Sequence, residues 1–85
     1  MQTVTIYSTR VCPYCMRAKA LLSAKQVAYT EVMVDTDPGK RIEMEHKSGG
    51  RRTVPQIFIG EHHVGGFDEL YALDRKGELE ALLNS

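Results

Sequence analysis

Val4-Thr5-Ile6-Tyr7, a four-residue loop from Ser8 to Val11, and then Cys12-Pro13-Tyr14-Cys15 at the head of a periodic stretch reaching Lys25: this run decides the fold. Its first four residues are β-branched or aromatic and alternate in part, which predicts a strand. From Cys12 to Lys25, residues Cys15, Ala18, Leu21 and Leu22 recur at helical spacing, with Lys19 at the edge of the stripe. Pro13 falls near the first helical position, where a missing N–H costs nothing. The stretch Val27 to Val34 holds a second strand, placed at Ala28 to Val32. Strand, helix and strand in that order predict a parallel pair joined by a right-handed crossover.

Working outward, Asp37-Pro38 supplies a helix start, with Asp as N-cap and Pro at N1. That helix runs to about Ser48 and stops at Gly49-Gly50; with only Ile42 and Met44 apolar in its middle, it should be the most exposed helix. Gln56 to Ile59 reads as a strand. Gly60-Glu61 reads as a two-residue turn of type II′, and His62 to Gly65 as the returning strand. A helix follows from Phe67 to Lys76, with Asp68 and Glu69 at its positive end and Arg75 and Lys76 at its negative end. Gly77 ends it, and Glu78 to Leu83 forms a short last helix. The predicted class is α/β: βαβ, a helix, a β-hairpin and a helix, plus a short C-terminal helix. A four-stranded mixed sheet flanked by helices on both faces satisfies that order.

Eighty-five residues fit one domain, spanning 1–85, and the apolar share of 42% and charged share of 26% are ordinary for a globular chain. The formal net charge is zero, so composition gives no case for nucleic acid or an acidic membrane surface. No apolar run approaches the roughly 18–20 residues of a membrane span, and no basic segment leads into an apolar one as in a secretory signal. The expected compartment is the cytoplasm, where structural disulfides are rare. Two cysteines in such a chain point to redox or metal chemistry.

The spacing of Cys12 and Cys15 puts both on one helical face, with Cα atoms about 5–6 Å apart, within disulfide range. A C-x-x-C beside a βαβ pattern reads as a redox motif. The two sulfurs are not equivalent. Cys12 lies where free backbone N–H groups and the positive helix end favour a thiolate, and Arg10 stands two residues upstream. Cys15 lies one turn inside on the apolar stripe, so its thiol should be buried and less acidic. Cys12 should attack and Cys15 should resolve the mixed disulfide. Tyr14 projects beside Cys12, where its ring can line a groove. Zinc would require two further ligands, and the adjacent pair His62-His63 lacks metal-ligand spacing, so no metal site is expected. Phe58 and Ile59 read as core, Tyr29 and Tyr71 as packing residues, and His62 and His63 as solvated hairpin residues. Tyr7 and Phe67 fit either core or groove wall.

Cys12-Pro13-Tyr14-Cys15 resembles the active-site motif of dithiol glutaredoxins. Thr53-Val54-Pro55 resembles that family's TVP loop, and Gly65-Gly66-Phe67-Asp68 its GG-x-D segment; the match runs from about Val4 to Leu83. The resemblance implies a minimal thioredoxin fold, a cis peptide before Pro55, and glutathione-dependent reduction of protein disulfides and glutathione mixed disulfides, with ribonucleotide reductase among the possible protein substrates. Glutathione enters as co-substrate, and no tightly bound cofactor is implied. A monomer is expected. The resemblance implies a glutathione site made of Thr53, Val54, Pro55, Gln56, Gly66, Phe67 and Asp68, with Arg10 and Tyr14 nearby. Val54 precedes proline and should be extended, so its N–H and C=O can pair with the tripeptide like an added strand. The N–H groups of Phe67 and Asp68 open a helix and can hold the γ-glutamyl carboxylate, while the Asp68 carboxylate takes the ammonium. Gln56 and a cation, either Arg51 or Arg52, are assigned to the glycine carboxylate.

Three departures stand out, one of them the loop before the TVP motif, Gly49-Gly50-Arg51-Arg52, which is one residue longer than in the short members it resembles. Where the family commonly has a lysine three residues before the first cysteine, this chain has Thr9, and Arg10 is the candidate substitute. Glu69 stands where many members have a second Asp. Two rival functions share the motif: a redoxin reduced by a flavin-dependent thioredoxin reductase, and a carrier of a glutathione-ligated [2Fe–2S] cluster. The chain has no Trp, which thioredoxins usually carry at the motif.

Overall fold

A computed structural model describes residues 1–85. The chain forms β1 (Val4–Ser8), α1 (Pro13–Ala24), β2 (Thr30–Met33), α2 (Pro38–Lys47), β3 (Gln56–Ile59), β4 (His62–Gly65), α3 (Phe67–Arg75) and α4 (Leu79–Leu83). The four strands make one mixed sheet in the order β2-β1-β3-β4. β1 and β2 are parallel, with Thr5 opposite Thr30, as the crossover requires. β1 and β3 run antiparallel, with Tyr7 opposite Gln56, and β3 and β4 form the hairpin. Gly60 has φ of 60°, while Glu61 stays out of the left-handed region, as a type II′ turn needs.

Strand alternation sorts the apolar residues onto two faces. Val4 and Ile6 of β1, Ile57 and Ile59 of β3, and Val64 of β4 pack with Ala18, Leu22, Leu70, Leu79 and Leu83 in the main core beneath α1, α3 and α4. The other face carries a smaller cluster of Tyr7, Phe58, Val34 and Met44 under α2. Tyr7 is thus a core residue, not groove wall, and its hydroxyl donates to Glu43 at 2.6 Å.

The helix ends follow from local chemistry. Cys12 is the N-cap of α1 and Asp37 that of α2, where its Oδ1 accepts from the N–H groups of Gly39 and Lys40 at 3.0 and 3.3 Å. α2 is the exposed helix that its sequence suggests: Met44 alone is buried, and Ile42 is open to solvent. β2 begins two residues later than the Ala28 start expected from the sequence. Gln26 takes a left-handed φ of 59°, and the Val27 N–H returns to the Leu22 carbonyl at 2.9 Å, so the helix-ending turn reaches Val27, and Ala28 and Tyr29 lead from it to the first sheet pairing at Thr30. At the far end of β1, the Gln2 N–H donates to the Leu83 carbonyl at 2.7 Å and joins the two ends of the chain.

Candidate active site

β1 delivers the chain to the N-terminus of α1, and Cys12 sits at that junction. Its backbone is extended, as an N-cap requires, and its Sγ accepts the Cys15 N–H at 3.1 Å. The sulfur therefore occupies the place where a helix offers unpaired donors and the positive end of its dipole. Those same features lower a thiol pKa. Cys12 and Cys15 are joined as a disulfide with Cα atoms 5.2 Å apart. Cys15 is 1% exposed and Cys12 7%, so the outer sulfur is the first of the pair, as the motif's position on the helix predicts.

Cys12 Sγ lies 3.9 Å from the carbonyl oxygen of Val54. The Val54–Pro55 peptide bond is cis. Val54 borders a groove of about 130 Å³ whose walls are Tyr14, Arg51, Thr53, Val54, Pro55, Gly66, Phe67, Asp68 and Glu69. One wall is aromatic: Phe67 lies between Tyr14, at 6.4 Å, and Tyr71, stacked at 5.8 Å. The Arg17 guanidinium covers Tyr14 at 5.2 Å from the ring centre. The opposite end is the N-terminus of α3, where Gly66 is the N-cap. The backbone N–H groups of its first turn lack helical partners and suit an anion. A larger cavity of about 460 Å³ lies on the α2 face among Thr5, Tyr7, Glu43 and Lys47, but neither cysteine nor any residue of the Thr53–Pro55 loop lines it.

Tyr14, Thr53, Val54, Pro55, Gly66, Phe67 and Asp68 are therefore brought to one groove beside Cys12. Two residues assigned to glutathione from the sequence are not. Gln56 is fully buried in β3, and both ends of its carboxamide are already bonded, to Thr53 and His63. Arg10 turns away: its Nε and backbone N–H both bond Asp35 Oδ2, at 2.9 and 3.1 Å, and the Arg10 guanidinium holds the Asp35 carboxyl below its ordinary pKa. Between the two candidate cations, Arg51 lines the groove, whereas Arg52 reaches Glu45 at 3.4 Å.

His63 also departs from expectation. It is half-buried and stacked on Phe58 at 4.8 Å, because the β3–β4 register sets the two side by side. Burial and the nearby Arg51 charge depress its pKa. His62, by contrast, is exposed, as a hairpin residue should be. Glu69, noted in the sequence only as a charge at the helix start and a departure from the family's second Asp, is a groove residue. It accepts the Gly66 N–H at 2.5 Å and pairs with Arg51 at 3.6 Å. An acidic residue three places after a helix N-cap is the readable signal for this back-bond.

The geometry can be set beside known proteins. The glutaredoxin family model matches residues 4–64. The chain is 55% identical to Glutaredoxin 3 of Escherichia coli (strain K12) over 83 residues, covering 98% of this chain and 99% of that one. The chain belongs to the glutaredoxin family. As a glutaredoxin it is a glutathione-dependent thiol–disulfide oxidoreductase, and the flavin-linked and cluster-carrying alternatives are not favoured. The solution structure of glutaredoxin from Brucella melitensis superposes with a TM-score of 0.85 at 52% identity, covering 98% of this chain and 89% of that one. A buckwheat glutaredoxin in complex with glutathione superposes at 0.87 with 29% identity, covering 98% and 77%. The four-stranded mixed sheet with flanking helices is accordingly the thioredoxin fold of this family. No helix is long and apolar enough to cross a membrane.

Proposed function

We infer that residues 1–85 act as one glutaredoxin domain in which Cys12 is the nucleophile, Cys15 resolves, and glutathione lies in the groove between Thr53-Val54-Pro55 and Gly66-Phe67-Asp68. One observation carries this reading. The Cys12 sulfur takes a backbone N–H at the head of α1 and stands 3.9 Å from the carbonyl of Val54, the residue that borders the groove. In this reading the tripeptide's cysteine residue pairs with Val54 as an added strand. Its γ-glutamyl carboxylate meets the N–H groups of Phe67 and Asp68, and the Asp68 carboxylate takes its ammonium.

With a glutathionylated protein, the Cys12 thiolate attacks the glutathione sulfur. A Cys12–glutathione disulfide forms, the old disulfide breaks, and the protein thiolate leaves and takes a proton. A second glutathione thiolate then attacks the glutathione sulfur of that adduct, giving glutathione disulfide and free Cys12 thiolate. With a protein disulfide, Cys12 attacks one sulfur. The Cys15 thiol then loses its proton and attacks Cys12, closing the bridge seen here and releasing the substrate as a dithiol. Two glutathiones reopen the bridge and leave as glutathione disulfide, so two electrons pass in each cycle. Ribonucleotide reductase is one candidate protein substrate. The chain works as a monomer in this reading, since no step requires a second copy. A cytoplasmic setting, with its reducing glutathione pool, suits the cycle.

The test is reduction of a glutathionylated peptide, with glutathione reductase recycling the product. Cys12→Ser should abolish turnover, while Cys15→Ser should keep it and lose only reduction of protein disulfides. Turnover surviving in Cys12→Ser, or wild-type protein that accepts electrons only from a thioredoxin reductase, would overturn the assignment.

A further inference from the structure

The cycle above has no use for Gln56 or His63, yet the two make a polar chain, half-buried at His63 and fully buried at Gln56, that ends at the groove. Gln56 is fully buried in a strand whose four positions are all buried. A carboxamide removed from water needs partners at both ends. Its Nε2 lies 2.9 Å from the Thr53 carbonyl oxygen and 3.1 Å from Thr53 Oγ1. A carbonyl only accepts, so this end is the NH₂ group, and Oε1 faces His63 Nε2 at 2.7 Å. His63 must therefore donate from Nε2. Its neighbours on the sheet fix the ring: it stacks on Phe58 at 4.8 Å.

Thr53 is where a hold of this kind matters. Neither Thr53 nor Val54 makes a backbone–backbone hydrogen bond to any part of the chain, and neither belongs to a helix or strand. The loop is held by side chains instead: Ser48 Oγ donates to the Arg51 carbonyl at 3.1 Å, Arg41 to that of Arg52 at 3.4 Å, and Gln56 to that of Thr53. Only the last of these bonds falls on the segment that would pair with the tripeptide. Free backbone N–H and C=O groups are what an added strand needs, but only if the segment is kept in place before it binds.

We propose that His63 and Gln56 are positioning residues for glutathione: His63 orients the Gln56 carboxamide, and Gln56 pins Thr53 so that Thr53-Val54 presents its free backbone edge to the tripeptide. The inference rests on the reading that glutathione occupies this groove. Its effect falls on binding of the glutathione moiety and not on the sulfur chemistry, since neither residue touches Cys12 or Cys15.

Two substitutions separate this role from simple packing. His63→Gln places an amide donor as many bonds from the backbone as Nε2 is. His63→Asn has the same chemistry but stops short of Gln56. Both lose the ring that stacks on Phe58. The readouts are KM and kcat for a glutathionylated peptide, the Cys12 thiol pKa from its alkylation rate, and thermal unfolding. Asp68→Asn serves as a control at the other end of the groove, where KM should rise. His63→Asn should raise KM about fivefold, the scale of one lost hydrogen bond, with kcat and the thiol pKa unchanged. His63→Gln should stay within about twofold of wild type on the same scale. Equal loss in both variants would mean that His63 acts only by stacking on Phe58, and no change in either would mean that the loop does not depend on it; each result overturns the proposal. If Asp68→Asn leaves KM unchanged as well, the groove reading itself has failed and takes the proposal with it.

Discussion

Arg10 and Arg51 show how little a charge near a motif says until its partner is known. Arg10 is two residues from Cys12 in the chain but is bound to Asp35, two residues beyond the end of the next strand. Arg51 is far from Cys12 in sequence but lines the groove beside Phe67 and Asp68. We expect Arg51→Ala to raise KM for a glutathionylated peptide about threefold to fivefold, the upper value of one solvent-exposed ion pair, and Arg10→Ala to leave it within about twofold. Steady-state kinetics on the two variants decides between them, and a larger effect from Arg10 would restore it as the thiolate's cation. The residues legible in the sequence were those whose chemistry is contiguous. Cys12 and Cys15 are one helical turn apart, and Gly66, Phe67 and Asp68 follow one another at a helix start. Those not legible owe their role to a partner elsewhere. Gln56 is polar and reads as a binding residue until its partners Thr53 and His63 take up both ends of its amide. Likewise, nothing local ties Arg10 to Asp35.

Between elements, Glu31 on β2 joins three pieces of the fold. It accepts from Ser8 of β1 at 2.6 Å and pairs with Lys19 of α1 at 2.8 Å. The Lys19 ammonium, and then the Ser8 hydroxyl, hold its carboxyl below the ordinary value of 4.5. The folded state thus favours the ionised form. Its contribution to stability is complete above pH 4.5 and is lost as pH falls through the lowered folded-state value. Glu31→Gln should lower Tm by about 3 °C near neutral pH, and the gap should close in acid. Unfolding curves across pH check this, and a gap that does not vary with pH would show that the pair's charge is irrelevant. Lys19 blurred the apolar stripe of α1 when read as sequence; its partner on β2 explains why a charge is tolerated there. The late start of β2 has a different cause. A left-handed residue usually announces itself as Gly or Asn, and here it is Gln26. The order and direction of the strands needed no such detail, because the crossover rule and the hairpin turn determine them.

Across the whole molecule, the sheet is covered unequally. The face under α1, α3 and α4 buries eleven core residues, and the face under α2 buries four. Met44 is the one buried residue of α2, so that helix is anchored largely by a single side chain. Met44→Ala should cost about 2–4 kcal/mol, a large share of the stability of a chain this small. Urea unfolding measures the loss, and amide exchange should show α2 opening before β1 even in the wild type. A cost below about 1 kcal/mol would mean that the α2 face repacks without difficulty. The thin apolar pattern of α2 was readable, but which of Ile42 and Met44 pointed inward was not. The bond between Gln2 and Leu83 carries a consequence of its own. It lies at the end of β1 opposite Ser8, the end that leads to Cys12. A short peptide joining the two ends would make a circular backbone and restrict the unfolded chain, while the redox pole stayed open to its substrates.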